Sequence, residues 1–152
     1  MMRRLLSTTL AITTGCLLAT GAVAQSDEDQ IDYRQAVFTL VGANFGPMGD
    51  MAQGEIDYDA EQFARNAARV ADLSRMAKEG FEGGPHDGDT DAKPAIWDEW
   101  DRFSEGMTHF ETAAQELAEA TEGGDRELAD VQDRFMQVAE SCQSCHDNYR
   151  DN

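Results

Sequence analysis

Apolar residues recur at alternating steps of three and four along four stretches of the chain, and no stretch reads as a β-strand. The first stretch is Phe38, Val41, Phe45 and Met48, entered through Ile31 and Arg34. A second, looser one follows "YDAEQ" and carries Phe63, Ala67, Val70 and Leu73; Asp59 is placed to cap that helix and Gln62, three residues on, to reach back to it. The third runs Ile96, Trp100, Phe103, Met107, Phe110, Ala114, Leu117, with Pro94 suited to its first turn and Gly123-Gly124 at its end. Asp125 is placed to cap the fourth, which steps through Leu128, Val131, Phe135, Val138, Cys142, Cys145 and Tyr149. Four amphipathic helices sharing one apolar interior predict an all-α fold, an antiparallel up-down four-helix bundle.

Two interruptions qualify this pattern. Pro47, in "GPMG", predicts a bend or an early end of the first helix, because proline has no N–H to donate and crowds the preceding turn. Between the second and third helices "FEGGPHDGDTDAK" is rich in Gly, Asp and Pro and reads as a long, solvated loop. His86 lies in it, and solvent exposure without a role is the expectation there.

The N-terminus reads as a targeting segment. Arg3 and Arg4 precede the uncharged run "LLSTTLAITTGCLLATG", and Ala22-Val23-Ala24 supplies a small-x-small cleavage pattern, so residues 1–24 are expected to be removed. The run sits at the lower length limit for a membrane anchor. A lipoprotein reading of "TTGC" lacks a Leu three residues before Cys16. Residues 25–152 then form one domain, exported to the periplasm. Losing Arg3 and Arg4 moves the formal charge from −18 to −20. Such a surface disfavours nucleic acid and anionic membranes, and any charged partner, a redox protein included, should be basic.

The chemistry is concentrated in "SCQSCHDNYR". In an exported chain, Cys142-x-x-Cys145-His146 is the attachment pattern for haem c. Thiols one helical turn apart can add to the two vinyl groups of a haem as thioethers, and the adjacent imidazole of His146 can ligate the iron. Three other uses fit less well. A redox-active dithiol usually opens a helix in a βαβ setting, a zinc site lacks suitably spaced further ligands, and a disulfide here would constrain little. Since six residues follow His146, a second axial ligand would come from upstream: Met48, Met51, Met76, Met107, Met136 or His109, each equally readable as core filler or surface.

With "YRQAVFTLVGANFGPMG", "YDAEQ", "KPAIW" and the C-terminal motif together, the sequence resembles the cytochrome c' family, the class II c-type cytochromes, over nearly all of residues 25–152. The resemblance implies a covalent haem in a four-helix bundle, a homodimer packed through the first two helices, and a five-coordinate, high-spin iron that admits nitric oxide and carbon monoxide. It places Phe38 where the family has its bulky distal residue, Arg150 at its proximal arginine one turn after His146, and Arg34 near the haem propionates. For both arginines an ordinary surface ion pair is the competing reading, with Asp147 or Asp151 the partner of Arg150. A non-ligating Phe38 favours gas binding over the alternative, a low-spin electron carrier. Catalysis is not expected, since no residue read as distal is titratable.

Overall fold

The structure, a computed structural model, describes residues 26–151. The leader expected over 1–24, Cys16 within it, lies outside the described residues. Helix α1 spans Asp27–Gln53 and α2 Ala60–Ser74; after a 3₁₀ turn at Glu79–Phe81 come α3 (Ala95–Asp98), α4 (Trp100–Ala120) and α5 (Leu128–Tyr149). α1 packs on α2, α2 on α4, and α4 on α5. Stacking of Phe45 on Phe135, ring centroids 4.8 Å apart, joins α1 to α5 and closes the bundle. The predicted four-helix bundle is therefore the observed fold, with the third helix broken at Glu99 (φ −117°, ψ 36°) into α3 and α4.

The predicted stripes form the core. Phe63, Val70, Ile96, Phe103, Leu117, Val131 and Val138 are all buried, and Phe63 packs on Phe135 and Tyr58. In α1 the buried line runs Ile31, Arg34, Val37, Val41, Met48, Met51, while Phe38 and Phe45 sit half-buried beside it. Asp59 caps α2 by accepting from the Gln62 amide, as its position predicts.

Two helix ends differ from the places the sequence offers for them. α1 does not stop at Pro47 but continues to Gln53. Beyond the proline, Met48 and Met51 are buried in the core, and that burial offsets the missing hydrogen bond. Asp125 does not cap α5 either. Gly123 and Gly124 take up left-handed backbone angles (φ 95° and 69°), the chain then extends, and the cap position falls on Glu127, which makes no side-chain capping bond. Nearby, the Tyr58 hydroxyl donates to Arg126 O at 2.8 Å and fastens this turn to the α1–α2 connection.

Candidate functional site

α1 and α5 touch at Phe45 and Phe135 but part beyond that pair, towards the start of α1 and the end of α5. There a cavity of about 410 Å³ opens, a size suited to a cofactor. Phe38 and Arg34 line it from α1, Ile96 and Phe103 from α3 and α4, and Cys145, His146 and Tyr149 from α5. Phe81, from the 3₁₀ turn, completes the aromatic wall, its ring edge-on to Phe38 (6.2 Å) and to Phe103 (5.0 Å).

The attachment motif lies at the end of this cavity. Cys142 and Cys145 are half-buried, unpaired thiols on successive turns of α5, packed against the core. Burial pushes the Cys145 thiol up to about 11, helped by its neighbour Cys142, and burial likewise raises Cys142. Both therefore stay protonated near neutrality, which is unlike a thiolate-based redox pair. His146 is exposed along one edge, yet partial desolvation and then the charge of Arg150 lower its pKa, outweighing Asp147. The neutral imidazole, the form that ligates metals, is thus the favoured one. A cavity with one aromatic wall and two arginines in its lining, next to two unpaired thiols one turn apart and a neutral imidazole, presents a donor set that fits haem c.

Arg150 stands one turn beyond His146, to whose carbonyl its N–H donates, but its own backbone is extended (φ −118°, ψ 133°) and α5 ends at Tyr149. The reason is a short backbone pairing with the loop: Lys93 N donates to Tyr149 O at 3.0 Å and Asp151 N to Asp91 O at 2.8 Å. The Arg150 side chain lines the cavity and meets Asp91 at 3.5 Å, not Asp147 or Asp151.

Arg34 is not a surface residue at all. It is 2 % exposed, and desolvation lowers its pKa. Nη1 donates to Gly80 O and His86 Nδ1, both at 3.0 Å, and Nη2 to Thr90 Oγ1 at 2.9 Å. The guanidinium also lies over the rings of Phe81 (5.0 Å) and Trp97 (5.9 Å). His86, expected to be solvated and idle, is instead half-buried against Arg34 and edge-on to Trp97. His86 is drawn in by the cation beneath it, which needs acceptors, while most of residues 82–89 stay exposed, as their composition predicts.

None of the upstream ligand candidates reaches the cavity. Met48, Met51 and Met107 are buried in the core, and Met76 and Met136 are exposed elsewhere. His109 faces a groove on the outer side of α4 and α5, 3.9 Å from Glu105. Among the described residues lining the cavity, His146 is the only histidine and there is no methionine.

Comparison with known proteins agrees with this architecture. The model of the cytochrome c' family matches residues 29–150. A cytochrome c' of Halomonas halodenitrificans is 38% identical over 128 residues, 81% of this chain and 96% of that one. The solved cytochrome c prime of Shewanella frigidimarina superposes with a TM-score of 0.80 at 37% identity, covering 85% of this chain and 99% of that one. A ferrous variant of the Alcaligenes xylosoxidans protein with bound NO (TM-score 0.73, 32% identity, 85% and 98% covered) has the same fold. A carbon-monoxide-bound variant of that protein (TM-score 0.73, 32% identity, 84% and 98% covered) does too. The match runs from the first turn of α1 to Arg150 and takes in the thiols, the imidazole and the cavity between them, so the chain belongs to the cytochrome c' family.

Proposed function

We propose that this haem c protein binds nitric oxide or carbon monoxide at an open axial position, with His146 as the iron's only ligand from the chain. The observation that carries the reading is the lining of the cavity, which joins His146 with Phe38, Phe81 and Phe103 and offers no methionine or second histidine. When bound, haem c would supply an iron able to take a small diatomic ligand.

The chain's residues divide the work around that position. Cys142 and Cys145 tether through their sulfurs, and His146 donates its neutral ring nitrogen. Phe38 would restrict the space open to a ligand entering the cavity, and the rings of Phe81 and Phe103 would keep that wall apolar. Arg150 lies on the His146 side with Asp91 as its counter-charge, and Arg34 is a buried, fixed cation in the cavity wall, of a chemistry suited to carboxylate groups.

The formal charge of −18 makes a basic protein the favoured partner for reduction. Cleavage after Ala24 and release into the periplasm, with pairing of two copies through α1 and α2, complete the proposal. Among the described residues no helix is long and apolar enough to cross a membrane.

Titrating the reduced protein with carbon monoxide and with nitric oxide tests this reading: stoichiometric optical changes with each gas are expected. A spectrum unmoved by either would favour the low-spin electron carrier instead.

A prediction about Arg150 follows from its partner. Replacing it with alanine removes a cation near the iron and leaves Asp91 uncompensated, and both changes favour the ferric state. The midpoint potential is therefore expected to fall. The pair is exposed, so the effect is at most about 1 kcal/mol, roughly 40 mV, and should shrink in high salt. Redox titration of Arg150→Ala at two ionic strengths checks both statements.

A further inference from the structure

Arg34 is a buried cation with no carboxylate within ion-pair distance among the described residues, so its neutral acceptors carry the burden of holding it. A guanidinium only donates, so the 3.0 Å contact with His86 is a hydrogen bond only when Nδ1 is the unprotonated nitrogen and the proton sits on Nε2. His86 thus supplies an acceptor that nothing else at that point of the loop provides. Gly80 lets the two segments come this close, since a Cβ there would stand 2.7 Å from Arg34 Cβ.

The contacts continue from Arg34 to the far side of the cavity. Thr90 accepts from Arg34 and also from Ala92 N at 3.1 Å, which shapes the strap of residues 90–93. The strap pairs with the end of α5 through Lys93 N to Tyr149 O and Asp151 N to Asp91 O, while Asp91 meets Arg150. Arg150 N in turn donates to His146 O at 3.1 Å.

We propose that His86 is a positioning residue: by accepting from Arg34 it fixes the strap, and through Asp91 and Arg150 the strap sets the last turn of α5 that carries His146. This loop thus bridges α1 and the end of α5, both of which line the cavity. The device tunes how firmly His146 is held in place and hence the strength of its bond to the iron. This consequence rests on His146 being the iron ligand; the mechanical link does not.

Two variants of the intact haem protein separate the acceptor from the ring's bulk. His86→Phe keeps a flat ring beside Trp97 and removes the acceptor, whereas His86→Asn keeps an oxygen in the place of Nδ1. Amide hydrogen exchange at Lys93 and Asp151 reports on the strap, and the iron–histidine stretching band of the ferrous protein reports on His146. His86→Phe should exchange roughly tenfold faster at both amides, the loss expected for a hydrogen bond to a charged group, and should shift the band. His86→Asn should restore both. Wild-type exchange in His86→Phe, equal loosening in both variants, or loosening with an unmoved band would each overturn the proposal. Absence of the band from the wild type would instead refute His146 as ligand, leaving exchange at the two amides to judge the strap.

Discussion

Replacing Cys142 and Cys145 together by alanine is expected to abolish covalent haem altogether. Each thioether is one carbon–sulfur bond, and these are the two cysteines among the described residues, so no other thiol there can substitute. Their placement on successive turns of one helix, both half-buried against the core and Cys145 at the cavity wall, puts the two thiols on one face of α5. Denatured wild-type protein should retain the mass of one haem. Either single variant should keep it through one bond in lower yield, and the double variant should lose it. The double variant should also lose helicity. The core contacts of α5 near Cys142 and Tyr149 would then surround an empty space, and truncations that leave cavities cost about 2–5 kcal/mol in well-packed cores. Mass spectrometry of the denatured chains, with far-ultraviolet circular dichroism of the native ones, provides the check. Haem mass surviving in the double variant would refute the assignment.

The second large effect is kinetic. Phe38→Ala is expected to accelerate carbon monoxide binding to the ferrous protein by roughly 10- to 100-fold. The Phe38 ring is half-buried at the cavity wall and edge-on to Phe81, so a ligand entering there must displace it. Crowding of this kind costs about 1–3 kcal/mol, and each 1.4 kcal/mol removed from a barrier is worth about tenfold in rate. The fold should tolerate the change better than a core truncation, because the ring already borders open space. Flash photolysis or stopped-flow mixing measures the rate; an unchanged value would place Phe38 off the ligand's path.

Which parts of this site were legible in the sequence depends on how far apart its pieces lie. The α5 half needed only local information: Cys142, Cys145 and Tyr149 continue the stripe set by Val131, Phe135 and Val138, and His146 adjoins the second thiol. The α1–loop half needed contacts across about fifty residues, Arg34 to Gly80, His86 and Thr90, within a segment without periodicity. Phe81 therefore gives no local signal, whereas Ile96, Phe103 and Tyr149 read as core, and that they also wall a cavity emerges only where helices distant in sequence meet. One signal was available: Arg34 falls three residues after Ile31 and seven before Val41, on the buried line itself, where an arginine needs a reason. Helix ends were the other weakness. At Pro47, Asp125 and Arg150 local rules were overridden, respectively, by methionine burial, by two left-handed glycines and by backbone pairing with the loop.

The central claim, that His146 is the iron's only ligand from the chain, is tested most directly by the resonance Raman spectrum of the unliganded ferrous protein. A high-spin, five-coordinate pattern with a single iron–histidine band is the predicted result. A six-coordinate, low-spin pattern in the wild type, lost on replacing one of Met48, Met51 or Met107, would contradict it.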